Sequence, residues 1–430
     1  MRIGWYSNAP HIPSGYGQQT AQVALRLKAD GHEVAVVSNF GAAASLTYQG
    51  IPVFADGLKQ YSLDIYPAQL KAWGGVSIGL FDAWPMMPVA NQLKDLNLAW
   101  WVPIDHDPVP PGVIDFFRAS SSHAIAMTKF GERQLLKVGL PRELVSYIPH
   151  AIDTKEMFID VGQGGREAMG IPIDAHLTIM NAANRGRIPI RKAFAENLLA
   201  LSNHMKRHED AWAYIHTEPE GISDGMNLIR YLNFIGAPMD RFRWPEQMAF
   251  RNGIPTEHLK HIYSAGDVLL ATSMGEGFGI PTIEAQACGT PVIVSDFAGS
   301  GELAGPQASV ISGQLVWDEF QGSNWIIPNV VQIEEALERN YENKRIGLVN
   351  RLHVREFAQR YDADLVYDTH WRPLIERLAL RLDKSGGQGG GDKIIGATGG
   401  SGAYATRART DDASAPMNRA QRRAKNKGAK

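Results

Sequence analysis

The sequence predicts an α/β protein of two doubly wound domains, each built on a parallel sheet, and three observations carry that prediction. Short apolar, partly β-branched runs such as Asp267–Thr272 and Pro291–Val294 have the length of buried parallel strands. Twice such a run leads through a glycine loop and an amphipathic helix to a second apolar run, once near the N-terminus and once between Ala265 and Ser295. The length, 430 residues, exceeds what one ordinary core supports, so two domains are expected together with whatever does not fold.

Composition narrows the class. An apolar content of 44 % with 20 % charged residues belongs to a soluble globular protein. No run approaches the roughly 18 to 20 uninterrupted apolar residues that a membrane span needs, and MRIGWYSN reads as a strand with no signal-peptide layout. The single cysteine, Cys288, excludes an internal disulfide and fits a reducing cytoplasm. It reads as a buried small residue. From Lys384 onward ten Lys and Arg face three Asp, a surplus of seven positive charges, so the net −2 of the chain leaves −9 for the first 383 residues.

In chain order, Arg2–Tyr6 is a first strand. SGYGQQTAQVALRLKADGHEVAVVS then reads as a glycine turn, a helix with Ala21, Ala24, Leu25 and Leu27 inward, a stop at Gly31 and a second strand. That order puts helical N–H groups at a strand's carboxyl end, which makes Gly15 and Gly17 candidates for close contact with a diphosphate or acceptor. Val76–Phe81 and Leu98–Pro103 are further strands, the second running into Asp105-His106-Asp107 on a loop stiffened by Pro108, Pro110 and Pro111. Polar side chains on a rigid loop after a strand suit a site: His106 can donate to a sugar hydroxyl or a phosphate, and Asp105 shares that position. The same triplet is also an Asp-x-Asp pattern of hard oxygen ligands for a divalent metal. Residues 119–158 read as strand, helix and strand, and Gly162–Gly165 as a hinge between a first domain, 1–165, and a second, 166–357.

The second domain opens with a strand at Leu177 and a loop entering a helix that carries Arg187 and Lys192, a guanidinium fork and a point charge suited to a diphosphate; Arg185 and Arg191 offer the same chemistry. Ala211–Thr217 and Phe242–Met248 are strand-led segments, and a helix is expected from Asp224. In AGDVLLATSMGEGFGIPTIEAQACGTPVIVS, Pro281 suits a first helical position and Gly289 a left-handed stop, giving a helix at 281–288. Gly275, Gly277 and Gly279 allow a close backbone approach. The N–H groups from Gly277, Phe278, Gly279 and Ile280 into the turn holding Pro281 and Thr282 suit a phosphate. Glu276 and Glu284 would repel a diphosphate unless each accepts sugar hydroxyls instead. Phosphate on the backbone with one hydroxyl-bearing ring on each carboxylate describes a nucleotide sugar.

GEGFGIPTIEAQACGTPVI resembles the donor-site signature of family 4 retaining glycosyltransferases, enzymes of the GT-B fold, in which two Rossmann-like domains face each other across a cleft. The resemblance spans about residues 1–380 and is strongest over 255–303. It implies that Glu276 holds the transferred sugar, Glu284 the ribose, Arg187 and Lys192 the diphosphate, and that His106, with Asp105, lies near the sugar's outer hydroxyls. The Arg-x4-Lys pair departs from the family at Ala193, where glycine is usual. IPHAID with Phe158 resembles the end of the family's first domain, and the last helix, about 358–382, is expected to pack back on that domain.

The implied reaction is metal-independent transfer of a sugar from a nucleoside diphosphate to an acceptor hydroxyl with retention, needing no cofactor beyond the UDP- or GDP-sugar. Base recognition through backbone groups leaves no side-chain trace that separates uridine from guanosine. Two other readings stay open: another GT-B enzyme such as an epimerase or phosphorylase, and a non-catalytic sugar-nucleotide or partner-binding module. The acceptor is expected to be a protein or small molecule rather than a lipid, the location cytoplasmic, and the origin bacterial or bacteriophage. Residues 384–430, rich in glycine and then in Lys and Arg, are expected to be disordered, serving either solubility or an anionic partner.

Overall fold

The structure is a computed structural model that describes residues 1–160, 164–186, 189–222 and 224–384. Arg187, part of the expected hinge and the basic tail from residue 385 lie outside the described residues.

Two sheets organise it. The first has eight strands: β1 (Arg2–Asn8), β2 (Glu33–Phe40), β3 (Leu46–Tyr48), β4 (Ile51–Phe54), β5 (Val76–Leu80), β6 (Asn97–Val102), β7 (His123–Ala126) and β8 (Val145–Tyr147). They lie in the order β3-β4-β2-β1-β5-β6-β7-β8, parallel except at the β3–β4 edge. The second sheet is parallel throughout, with the order β11-β10-β9-β12-β13-β14. Its strands are β9 (His176–Asn181), β10 (Ala211–His216), β11 (Phe242–Arg243), β12 (Val268–Ala271), β13 (Val292–Ser295) and β14 (Ser309–Ile311). Strands such as β5 and β13 are buried along their whole length, as expected for sheets covered on both faces by helices. In both sheets the strand order reverses direction beside the first strand, and such a switch point opens a crevice at the carboxyl ends.

Local chemistry explains the helix boundaries. Ser14 caps the Gly15–Ala29 helix by accepting the N–H of Gly17. That helix buries Val23, Ala24 and Leu27, while Ala21 and Leu25 are half-buried. The Ile280–Ala287 helix starts from Gly279, whose φ of 108° suits glycine, and ends before Gly289 at φ 75°. The helix expected from Asp224 begins only at Leu228, because Asn227 supplies the cap by accepting the N–H of Arg230. Leu315–Trp317 belongs to an antiparallel hairpin outside both sheets, β15 (Gly313–Asp318) and β16 (Ser323–Pro328).

The chain crosses between the sheets twice, and the crossings pair: Ile152 N–H donates to the Tyr361 carbonyl at 3.0 Å and Ala363 N–H to the Ile152 carbonyl at 2.9 Å. The closing Arg372–Lys384 helix then lies against the first sheet, where Asn97 Nδ2 donates to the Leu378 carbonyl at 2.8 Å. Trp371 anchors this return between Trp5 and Trp101, with ring centroids 5.4 and 4.9 Å away. Cys288 is buried, and burial pushes its thiol up to about 12, which leaves it inert at neutral pH.

Candidate functional site

The site gathers at the carboxyl ends of β9 and β12, which are neighbours in the second sheet, and of β6 in the first. After β9 the chain runs to Arg191 and Lys192 before entering the Phe194–Arg207 helix; after β12 it forms the glycine loop and the Ile280–Ala287 helix. Glu276 sits between them. It accepts hydrogen bonds from Lys192 Nζ, from Arg191 Nη1 at 3.0 Å and from Ser273 Oγ at 2.7 Å. Burial pushes this carboxyl up, but the two cations more than offset that and hold it at about 2. Arg191 is held ionised by Glu276 and Asp105 despite its burial, whereas burial lowers Lys192 below its ordinary value.

Arg191 also reaches Asp105 Oδ2 at 3.7 Å, and Asp105 Oδ1 lies 2.7 Å from His106 Nδ1. Burial favours the protonated form of Asp105, yet the hydrogen bond and charge of His106, with Arg191, hold its carboxyl below the usual range. The other imidazole nitrogen, Nε2, lies 3.3 Å from Asp318 Oδ2 on β15, and the ring stacks on Trp325 of β16 at 4.7 Å and 26°. His106 is thus clamped between a carboxylate on each nitrogen and an indole on its face. Asp107 joins the hairpin through its backbone: its N–H donates to the Asn324 carbonyl at 3.2 Å. Positive charge beside Asp105 comes from Arg191, where the Asp-x-Asp reading would place a metal.

Glu284 lies one turn into the Ile280–Ala287 helix and accepts the Tyr263 hydroxyl at 2.7 Å, while Asn181 Nδ2 donates to that same hydroxyl at 2.7 Å. Burial pushes the Glu284 carboxyl up to about 7. Ile280 and Pro281 form the half-buried first turn and Thr282 is buried beneath it. Phe278 is buried between His150 and Tyr361, with ring centroids 5.3 and 5.7 Å away, so its side chain packs.

The glycines have reasons that differ from those expected. A Cβ on Gly275 would lie 2.1 Å from the Asp105 carbonyl oxygen, and one on Gly277 2.3 Å from Pro103 Cβ. These two positions admit the loop after β6, not only a ligand. Gly17 is enclosed by the Ile12 carbonyl, 2.3 Å from its would-be Cβ, and so serves its own turn. Gly15 faces the second sheet, its would-be Cβ 3.2 Å from Ile280 Cδ1.

A cavity of about 520 Å³ opens beside this cluster, lined by Asp105, His106, Arg185 and Arg191 and by the β15–β16 hairpin. Lys192 and Glu276 connect to it through Arg191. Sequence reasoning missed Asp318 and Trp325. The signal was available as two apolar-aromatic runs, LVW and NWII, separated by a turn at Gly322. Elsewhere, His204, His208 and Glu338 bring ligand atoms within 4.8 Å of one another, at the far end of the helix that follows Lys192, and are not part of this cluster. Among the described residues no helix is long and apolar enough to cross a membrane.

Comparison with known proteins bears on the fold and on the segment around the glycine loop. Residues 240–320 match the family described as Glycosyl transferases group 1. The chain is 31 % identical over 241 residues to D-inositol 3-phosphate glycosyltransferase 2 of Catenulispora acidiphila, covering 54 % of this chain and 52 % of that protein. It is 28 % identical over 169 residues to the O-antigen chain mannosyltransferase RfbU of Salmonella typhimurium, covering 37 % and 46 %. The match spans about half the length of these curated relatives, or less. Among solved structures, a glycosyltransferase from Rickettsia africae superposes with a TM-score of 0.65 at 13 % identity, over 88 % of this chain and 98 % of that one. Anabaena Alr3699/HepE, in complex with UDP-glucose, gives 0.62 at 14 % identity over 89 % and 100 %. The fold is therefore GT-B, and the segment carrying Glu276 and Glu284 is similar to glycosyl transferases group 1.

Proposed function

We propose that the chain is a retaining, metal-independent glycosyltransferase that moves a sugar from a nucleoside diphosphate to an acceptor hydroxyl. The observation that carries the reading is the triad of Glu276, Arg191 and Lys192 beside the N-terminus of the Ile280–Ala287 helix. Two half-buried cations and a helix end are what a leaving diphosphate needs, and Glu276 occupies the cations in its place.

On donor binding the diphosphate takes over Arg191 and Lys192, and Glu276 turns to accept hydroxyls of the transferred sugar. His106, held by Asp105 and Asp318, faces the same sugar from the first sheet, and Glu284 accepts the ribose hydroxyls. The bond from the anomeric carbon to the diphosphate oxygen breaks with its electron pair leaving on the diphosphate. The acceptor oxygen bonds to that carbon on the same face, and its proton passes to a diphosphate oxygen. The protein's part is preorganised charge, and no side chain is assigned as general base.

The test is nucleotide release and thermal shift across UDP-, GDP- and TDP-sugars in EDTA. Slow release and a shift with one donor support the reading. A response that appears only on adding a divalent metal refutes metal independence.

A further inference from the structure

We infer that His204, His208 and Glu338 form a structural site for one divalent transition-metal ion of the zinc class, independent of the proposed glycosyl transfer. His204 lies in the last turn of the Phe194–Arg207 helix, at the opposite end from Lys192, and His208 follows that turn, its N–H donating to the His204 carbonyl at 3.2 Å. Glu338 comes from a second helix, Val330–Arg345, which shares one apolar core with the first: Leu198, Leu201 and Met205 with Ile333 and Leu337. Glu338 Oε2 stands 2.9 Å from His208 Nε2 and 3.4 Å from His204 Nδ1. Nitrogen and oxygen ligands about 2.0 to 2.2 Å from a tetrahedral zinc lie about 3.3 to 3.6 Å from one another. The two spans measured from Glu338 are close to that.

An ordinary ion pair between His208 and Glu338 does not account for His204. Its side chain is fully buried and neither ring nitrogen has a hydrogen-bond partner, although Nδ1 faces the Glu338 carboxylate. Buried imidazoles are rarely left so, and a metal ion would take the lone pair of Nδ1. A cavity of about 360 Å³ gives access, lined by His208 and Glu338 with Arg207, Glu334 and Glu335. Three carboxylates against one guanidinium draw a cation, and the carbonyl end of a helix adds to the pull. Arg207 is engaged mainly by Glu334, at 3.0 Å against 3.9 Å to Glu338, and Asn203 Nδ2 holds the other Glu334 oxygen at 2.8 Å. Glu338 is thereby left to the histidines. Two imidazoles and a carboxylate with one side open to water suit zinc, whereas magnesium and calcium call for oxygen ligands throughout. Bound there, the ion would pin the two helices to each other over one face of the second sheet.

The experiment uses the full chain without an affinity tag, stripped with EDTA and desalted. Zn2+ binding is measured by calorimetry and Co2+ binding by visible absorption, in wild type, His208→Ala, Glu338→Gln and, as a control, the exposed His353→Ala. The His208 and Glu338 side chains are 18 % and 39 % exposed, so their replacement spares the core that His204 belongs to. The expected result is one zinc per chain and a cobalt spectrum of a four- or five-coordinate site that zinc abolishes. Affinity should fall at least about tenfold in His208→Ala and Glu338→Gln and hold in the control. Zinc at about 100 times its Kd should raise Tm by about 3 °C with no donor present, and magnesium should not. Absence of zinc binding in wild type, or binding that both variants retain, overturns the site. Nucleotide release from donor sugars in EDTA is read separately, and its absence counts against the proposed transfer alone.

Discussion

Replacing Glu276 by Gln separates its two roles. The side chain is 12 % exposed and pairs with Arg191 and Lys192, so the variant leaves the half-buried Lys192 without its carboxylate and Arg191 with Asp105 alone. Breaking a fully buried pair from one side costs about 3 to 5 kcal/mol, and the partial exposure of both cations, with an amide that keeps the volume, holds the cost to about 3 kcal/mol at most. With an unfolding entropy of about 2.1 cal/mol/K per residue over roughly 380 described residues, or about 0.8 kcal/mol/K, a loss of about 3 kcal/mol lowers Tm by about 4 °C. A diphosphate restores the missing charge without having to displace a carboxylate. UDP should therefore raise the Tm of the variant more than that of wild type, and a tenfold gain in its affinity corresponds to about 1.4 kcal/mol. Sugar transfer should nevertheless collapse, because the amide offers one neutral accepting oxygen where the carboxylate offers two charged ones, and its NH2 cannot accept the sugar's hydroxyls. The assays are differential scanning fluorimetry with and without UDP, and nucleotide release with acceptor. A variant that melts within a degree of wild type and gains no more from UDP would show that Glu276 is not the counter-ion of these cations.

The remaining expectations concern pH, the cations and the loops. Because Glu276 is held at about 2 in the fold, its stabilisation is complete above its ordinary value of 4.5 and is lost as pH falls toward 2; Glu276→Gln should flatten that acid limb in a Tm-versus-pH series. Glu284 has the opposite sign. Its carboxyl, raised to about 7, favours folding below 4.5 and loses that contribution as pH rises through 7, and if the ribose needs the ionised form the protein should bind UDP more tightly at pH 8 than at pH 6 in calorimetry. That difference should vanish in Glu284→Gln. Lys192→Met should weaken UDP binding by about 10- to 100-fold, the worth of one charge-assisted contact, and equal affinity would remove Lys192 from the diphosphate site. Gly277→Ala, whose Cβ would meet Pro103 Cβ at 2.3 Å, should hold the two loops apart and cut transfer at least tenfold while UDP still shifts Tm; full activity would show that this approach is not needed.

Much of this was legible before any coordinates. The runs that became β9, β12 and β13 are short, apolar and β-branched, and Pro281 and Gly289 mark a helix that the structure places at Ile280–Ala287. Long-range pairings were not legible. A glycine reads alike whether it admits a phosphate or the backbone of a segment some 170 residues away, so Gly275 and Gly277 gave no hint of Asp105 and Pro103. Four cations lie in the eight residues from Arg185 to Lys192, and spacing alone did not single out Arg191, which reaches Glu276 and Asp105 together. The hairpin escaped because β15 faces water along much of its length, which blurs the alternation that announces a strand. His106 was found on its loop, but the residues that clamp it, Asp318 and Trp325, come from more than two hundred positions further on.

The paired crossings have a mechanical meaning. Two strings of peptide tied to each other at Ile152, Tyr361 and Ala363, with the return pinned by Trp371, behave like a door hung on adjacent hinges. Sliding or pulling the halves apart would tear the rungs between the strings, whereas rotation about the line they define leaves those rungs intact. Such a rotation would part and rejoin the glycine loop and the loop after β6 along one arc, and each return would bring Arg191 back to Asp105.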